Sequence, residues 1–182
     1  WRSAVEKSFG EPRPVPPYVE LPSVRVIIPV RNGADTLNSV LQDLHAQHYP
    51  REQMEVVVVN DHSTHATRSI LQAMGAQWHG LRAMDLPVDR SGKKAAIDLG
   101  LGQEGPELTI VTDADVRSGP DRVRTIVEHW QRTAADMLLA PVRTHVEGGL
   151  LAMLQGEEQA ALQGATAGSA LLGSPLLANG AN

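Results

Sequence analysis

The stretch VRVIIPV, residues 24–30, is a run of β-branched residues that predicts a buried strand. A second run of this kind, MEVVVV, follows at residues 54–59. Between the two runs, apolar residues recur at helical spacing; they are Leu37, Val40, Leu41 and Leu44. Because a strand, a helix and a strand follow one another here, the sequence indicates a parallel sheet that is covered by helices.

The same alternation continues toward the C-terminus. We predict strands over residues 81–86, 108–112 and 137–142, and helices over residues 65–75, 93–101, 123–130 and 150–162. The tail from Gly164 to Asn182 is rich in glycine and small residues and favours neither a helix nor a strand. We therefore expect an α/β domain over residues 23–182 with helices on both faces of a mainly parallel sheet. Residues 1–22 contain five prolines and are expected to form an extended linker.

The composition excludes several classes of function. A length of 182 residues with 42% hydrophobic and 20% charged residues is ordinary for a soluble globular domain. The net charge of −5 argues against a broad nucleic-acid surface, and the absence of cysteine excludes thiolate metal sites and disulfides. Because the chain starts at Trp1 rather than Met and stops at Asn182 without an obvious ending, we expect a piece of a longer protein.

Polar residues follow each of the first four predicted strands. Since ligands of parallel sheets bind beyond the carboxyl ends of the strands, these residues are expected to meet at one edge. They are Arg31 and Asn32 after the first strand, Asp61 after the second, Lys93 after the third, and Asp113 to Asp115 after the fourth. This convergence predicts a binding site more strongly than any single motif does.

The sharpest of these motifs is Asp113-Ala114-Asp115. Two carboxylates at the end of a buried strand suit Mg²⁺ or Mn²⁺, which favour oxygen ligands and often share them with substrate phosphates. The alternative is a solvated turn or an aspartate that caps the next helix. His145 is a weaker candidate for a further metal ligand, and His62 and His65 lack the other ligands that a zinc site needs.

The other strand-end residues have their own alternatives. Asp61 could accept hydrogen bonds from a base or ribose, or it could be an ordinary turn residue. Lys93 could meet a phosphate near a helix start, or it could be a surface lysine, as we expect for Lys94. Arg31 and Asn32 could line a nucleotide pocket, whereas Asp35 is expected to be an N-terminal helix charge.

Taken together, these segments resemble the inverting family 2 glycosyltransferases with the GT-A fold. The similarity runs from Val24 to Asn182 through VRVIIPVRNGADTL, VVVVNDHSTHAT, GKKAAIDLGL and LTIVTDADV. It implies a three-layer α/β/α domain, a nucleotide-diphosphate sugar as donor, with UDP as the default nucleotide, and Mg²⁺ or Mn²⁺ as cofactor. The implied donor-binding residues are Pro29, Arg31, Asn32, Asp61, Lys93, Asp113 and Ala114, with Asp115, joined by Asp113, holding the metal.

The later part of the chain, from Gln155 onward, is similar to family members at bacterial membranes. There Gly180, Ala181 and Asn182 correspond to the segment on the acceptor side of the donor sugar. The family's catalytic-base aspartate lies in an E-D or G-D-D segment, and neither occurs before Asn182. We therefore expect the base beyond Asn182, a chain that binds donor but transfers poorly, and a longer protein at the cytoplasmic face of the membrane with a glycan or lipid acceptor.

Other functions fit the sequence less well. A sugar-nucleotide nucleotidyltransferase would need a glycine-rich phosphate loop after the first strand, for which RNGAD is a poor substitute. A dinucleotide-binding dehydrogenase and a P-loop NTPase lack their glycine motifs. A non-catalytic nucleotide-binding module stays open, because the base segment is not found.

Overall fold

A computed structural model describes residues 21–102, 104–142 and 149–171. The elements are β1 (Val24–Val30), α1 (Ala34–His45), a short 3₁₀ helix (Arg51–Gln53), β2 (Met54–Asn60), α2 (His65–Gln77), β3 (Leu81–Asp85), α3 (Lys93–Leu101), β4 (Leu108–Val111), α4 (Arg122–Thr133) and α5 (Leu150–Leu171). A compact unit that contains all four strands ends at His129, and the described residues beyond it belong to a second unit. None of the described helices is long and apolar enough to cross a membrane.

The four strands form one parallel sheet in the order β3-β2-β1-β4, which confirms the predicted sheet type. Val24 of β1 is in register with Met54 of β2 on one side and with Leu108 of β4 on the other. The chain thus builds outward from β1 to β3 and then returns to the opposite side of β1. Such a reversal of strand order opens a crevice at the carboxyl ends, here between β1 and β4.

The two faces of the sheet carry separate cores because side chains alternate along each strand. Val26 and Ile28 of β1 are fully buried and belong to the larger core cluster, together with the predicted apolar stripe of α1 and with Val123 and Val127 of α4. On the other face, Val57 and Val59 of β2 pack with Ala96 of α3. Helices therefore cover both faces, as the sequence predicts.

Helix α3 lies very close to the sheet at Gly100. A Cβ atom placed on Gly100 would lie 2.7 Å from Cγ2 of Ile27 and 3.3 Å from Cγ2 of Val59. Both neighbours are buried β-branched residues with little freedom to move. The close approach therefore requires glycine. It sets the distance between the sheet and α3, the helix that begins at Lys93.

Two predictions for the C-terminal part are wrong. Met137–Val142 forms no strand; Met137 is 70% exposed and Leu139 is 43% exposed, and the described sheet ends at β4. An apolar run becomes a strand only when another strand pairs with it, and none of the four described strands pairs with this run. Helix α5 continues past Gly164 to Leu171, since repeated alanines favour a helix in spite of the glycines.

The ends of the chain are only partly described. Of the predicted linker, Leu21 packs against the larger core cluster and the carbonyl of Pro22 accepts a hydrogen bond of 2.6 Å from the buried hydroxyl of Tyr49. Residues 1–20, His145 and the predicted acceptor-side residues Gly180, Ala181 and Asn182 lie outside the described residues.

Candidate functional site

Asp61, directly after β2, is a buried carboxylate at the carboxyl edge of the sheet, with 5% of its surface exposed. Its backbone N–H donates to the carbonyl of Val30, and its Oδ2 accepts a hydrogen bond of 3.0 Å from the backbone N–H of Gly92. Nη1 of Arg31 lies 3.9 Å from the same oxygen. Oδ1 is buried and accepts no hydrogen bond from the described residues. An ionised carboxylate oxygen in this position favours a ligand that brings an N–H or O–H group.

Asn32 joins the turns that follow β1 and β2. It has a positive φ of 55°, which asparagine tolerates better than most residues. Its backbone N–H donates to Oγ of Ser63 over 2.9 Å, and its Oδ1 accepts from the backbone N–H of Thr64 over 3.0 Å. The Asn32 side-chain oxygen therefore connects the two turns. Of the two residues, Arg31 is the one that carries a charge, and this charge lies near Asp61.

His62 is an exposed residue that links two loops of the site. Its Nε2 lies 3.0 Å from the carbonyl of Arg90, so this nitrogen carries the proton and donates it to that bond. The same nitrogen lies 3.7 Å from Oδ1 of Asp61. The chain between β3 and α3 is thereby fixed beside Asp61, an arrangement that no motif in the sequence indicates.

Lys93 and Asp113, which the sequence places on different loops, form an ion pair. Nζ of Lys93 lies 2.6 Å from Oδ1 of Asp113, and the side chains are 42% and 28% exposed. Lys93 is the first residue of α3 and follows Gly92, whose φ of 92° suits glycine. The pair brings a cation and a carboxylate together at the open edge of the crevice.

Asp115 is exposed, two residues beyond Asp113. Between them, Ala114 packs against the core and lies 3.6 Å from the point where a Cβ of Gly33 would stand. Among the described residues, no three His, Asp or Glu side chains are grouped as a complete metal cage. One or two carboxylates are nevertheless what Mg²⁺ or Mn²⁺ needs when phosphates of a substrate supply the other oxygens, so the residues fit this kind of ion.

Two further residues complete the surroundings. Pro29 is a half-buried residue of β1 in register with Val59. Arg122, at the start of α4, is a residue that sequence reasoning missed; its Nη1 donates to Oγ1 of the fully buried Thr112 over 3.1 Å. Burial lowers the pKa of the Arg122 guanidinium. No spacing or motif distinguishes this arginine from a surface residue.

The chain is similar to known proteins over most of its length. Residues 25–169 match the family described as Glycosyl transferase family 2. Glycosyltransferase AglE of Haloferax volcanii is 28% identical over 133 residues, which are 72% of this chain and 43% of that protein. The beta-monoglucosyldiacylglycerol synthase of Synechocystis is 28% identical over 62% of this chain and 24% of its own length. An undecaprenyl-phosphate 4-deoxy-4-formamido-L-arabinose transferase of Edwardsiella ictaluri is 33% identical over 58% of this chain and 33% of its own.

The chain is also similar to solved structures. A mannosyltransferase from Pyrobaculum calidifontis in complex with GDP-Man and Mn²⁺ superposes with a TM-score of 0.60 at 28% identity, covering 71% of this chain and 38% of that one. Staphylococcus aureus TarS in complex with UDP-GlcNAc superposes with a TM-score of 0.61 at 25% identity, covering 70% and 36%. These neighbours confirm the predicted α/β fold of the GT-A type. In all of these comparisons, the chain spans less than half of the similar protein.

Proposed function

This chain belongs to glycosyl transferase family 2, and on that premise we propose that it binds the nucleotide-diphosphate sugar that serves as donor for the whole protein. The observation that carries the proposal is the unsatisfied Oδ1 of Asp61, which lies at the same edge of the sheet as the Lys93–Asp113 ion pair. A nucleoside needs an acceptor, and a diphosphate needs positive charge nearby. The site offers both groups at the carboxyl ends of neighbouring strands.

The nucleoside end of the donor is assigned to Asp61 and Arg31. Uracil presents one imino N–H between two carbonyl groups, and the single unsatisfied oxygen of Asp61 matches that donor. Guanine presents two adjacent N–H groups, of which one would meet Oδ1, whereas the other would be a second hydrogen bond to Oδ2, which already accepts from Gly92. This difference supports UDP as the nucleotide, although the similar structures contain both kinds of nucleotide sugar.

The diphosphate end of the donor is assigned to Lys93, Asp113 and Asp115. Bound Mg²⁺ or Mn²⁺ would offset the charge of the departing diphosphate. Asp115, which is exposed, would hold the ion, and Asp113 would join it or contact the sugar. The Lys93 ammonium would reach the phosphates from the start of α3, where the first backbone N–H groups of the helix also favour an anion.

An inverting transfer also needs a base that takes the proton of the attacking acceptor hydroxyl. The three carboxylates of the site, Asp61, Asp113 and Asp115, all have roles on the donor side. We therefore assign the base to a part of the whole protein outside the described residues. Relatives named for a diacylglycerol product and for undecaprenyl phosphate support a lipid acceptor. The assignment of Gly180, Ala181 and Asn182 to the acceptor side is part of the same proposal and rests on the family resemblance alone.

A calorimetric titration of the chain with UDP and with GDP, each with and without Mn²⁺, tests the proposal. We expect UDP to bind more tightly than GDP, and only weakly when Mn²⁺ is absent. Asp115→Ala should abolish the effect of Mn²⁺, whereas Glu128→Ala, which removes an exposed carboxylate of α4, should not. Binding that is indifferent to the metal would contradict the role of Asp115. If neither nucleotide binds, the donor-site proposal is wrong.

A non-catalytic module that only holds nucleotide is the second candidate. It is supported by the assignment of all three carboxylates to the donor side, because this assignment leaves none of them as the catalytic base. Both candidates predict binding of UDP. Hydrolysis or transfer of the sugar by the whole protein separates them, because a pure binding module would leave a UDP-sugar intact under conditions where it binds UDP.

A further inference from the structure

The loop that carries Asp113 and Asp115 is held in place by the C-terminal end of α1. We propose that Asp43, in the last turn of α1, and Gln47, two residues beyond that helix, are positioning residues that set the metal-binding geometry of the 113–121 loop. The loop is defined as residues 113–121, before α4. This inference rests on the proposed function, since it assumes that Asp115 and Asp113 meet a divalent ion.

Asp43 anchors the middle of the 113–121 loop. Nε and Nη2 of Arg117 donate to its two carboxylate oxygens over 2.6 and 2.9 Å, and the backbone N–H of Ser118 donates to Oδ2 over 3.0 Å. A carboxylate that receives a planar guanidinium in this two-pronged way is held in both distance and direction. The Asp43 side chain is 16% exposed, so the pair is better shielded from water on the α1 side than an ordinary surface pair.

Gln47 anchors the end of the same loop. Its buried side-chain amide donates from Nε2 to the carbonyls of Gly119 and Asp43, over 2.8 and 3.0 Å. Its Oε1 accepts from the backbone N–H of Val123 over 2.9 Å, which satisfies one of the first N–H groups of α4. The next residue, His48, donates its backbone N–H to the carbonyl of Pro120 over 2.7 Å.

The loop has little internal support of its own. Its backbone bonds from Val116 to Asp113 and from Arg122 to Gly119 are both 3.3 Å long. At the other end of α1, Ala114 lies against Gly33. The loop therefore contacts the chain just before α1, at Gly33, and again the last turn of α1, at Asp43. A change at Asp43 or Gln47 would shift the backbone that follows Asp115, although neither residue is a ligand.

A residue that only stabilises the fold would lower the melting temperature without changing metal affinity. We would therefore titrate the full chain with Mn²⁺ in the presence of UDP, following free Mn²⁺ by electron paramagnetic resonance, and measure thermal unfolding of each variant. Asp43→Asn keeps the shape of the side chain but removes its charge, and Gln47→Ala removes the amide. Arg117→Lys, at a residue 63% exposed, keeps the charge and the fold but loses the two-pronged geometry.

The matched control is Glu55→Gln. Glu55 pairs with Arg25 and Arg82 near the start of β2, at the end of the sheet opposite to the site. We expect Asp43→Asn, Gln47→Ala and Arg117→Lys each to weaken Mn²⁺ binding about tenfold. This is the lower end of the effect of losing a residue that orients a metal ligand. Glu55→Gln should leave Mn²⁺ affinity unchanged even where it lowers the melting temperature as much.

The inference is overturned if Arg117→Lys and Asp43→Asn bind Mn²⁺ as the parent chain does, or if Glu55→Gln weakens binding equally. The failure of the proposed function would look different, because the parent chain itself would then bind no Mn²⁺ with UDP. The parent chain therefore serves as the test of the donor site, and the variants test only the role of the α1 end.

Discussion

Lys93 and Asp113 neutralise each other across the crevice, with the ammonium Nζ 2.6 Å from the carboxylate Oδ1. The pair connects the start of α3, the helix that follows β3, to the end of β4, and the sheet places β3 and β4 on opposite sides of β1 and β2. A divalent ion and a diphosphate would each compete for one half of this pair. Under the proposed function, the pair would therefore couple the binding of metal to the binding of donor.

The first prediction concerns Lys93→Met. Without the ammonium, Asp113 is free to attract an ion, so Mn²⁺ alone should bind more tightly. UDP with saturating Mn²⁺ should bind about tenfold or more weakly, since a hydrogen bond to a charged group contributes about 1.5–3 kcal/mol. Titrations with Mn²⁺ alone and with UDP measure the two effects. Lys94→Met, at the exposed neighbouring lysine, should change neither value; equal effects at both lysines would contradict the coupling.

The second prediction concerns Asp61→Asn. Asp61→Asn keeps the shape of the side chain and an oxygen that can accept from Gly92, and it removes a charge from a buried position. The variant should therefore unfold at the same temperature as the parent chain or at a higher one, while it binds UDP at least tenfold more weakly. Thermal unfolding and a UDP titration are compared with those of Asp35→Asn, an exposed aspartate of α1. A large loss of stability together with intact binding would mean that Asp61 has a structural role.

The third prediction compares two helical glycines. Gly100→Ala should destabilise the fold by about 1–3 kcal/mol, because the new methyl group would overlap the rigid Ile27. Gly75→Ala, in α2, has nothing within 4 Å of the added carbon and should stabilise the fold by about 0.5–1 kcal/mol. Chemical denaturation measures both free energies of unfolding. If Gly100→Ala also stabilised the fold, α3 would have to be able to move away from the sheet.

The fourth prediction is a pH dependence at Asp43. Its hydrogen bonds with Arg117 hold the pKa of the Asp43 carboxyl below its usual value, in spite of the opposing effect of burial. A lowered pKa in the folded state contributes stability above the unfolded pKa of about 4, and that stability is lost as the pH falls through the folded value. The difference in the free energy of unfolding between the parent chain and Asp43→Asn should thus be largest near pH 7 and shrink in acid. A difference that stays constant down to pH 3 would exclude this origin.

Most of the fold follows from local patterns in the chain. The β-branched runs of β1 and β2 and the apolar stripe of α1 are long enough to identify each element, and their order dictates a parallel sheet. The failure at Met137–Val142 has a physical cause, because a strand depends on a partner that may be distant in the sequence. The extension of α5 beyond Gly164 was not predicted, because the glycines of this segment suggested that the helix ends there. The alanines between them keep the segment helical.

The candidate site was predictable as a set of residues but not as a geometry. The strand-end rule places Asp61, Lys93 and Asp113 at one edge without any information on which of them touch. The pairing of Lys93 with Asp113 and the unsatisfied oxygen of Asp61 depend on side-chain positions. The anchoring of the 113–121 loop by Asp43 and Gln47 was missed because both residues resemble ordinary polar positions of an amphipathic helix.

The strand order β3-β2-β1-β4 also affects the order in which the domain can fold during its synthesis. A ribosome releases β1, β2 and β3 first, and these three can pair in sequence order as they emerge. The pocket around Asp61 is therefore able to form early, when the segment up to Gly92 is available. Asp113 and Asp115 follow β4 in the chain and therefore emerge after it. In a nascent chain, Asp61, the proposed nucleoside-binding residue, would thus be in place before the two aspartates that are proposed to meet the metal.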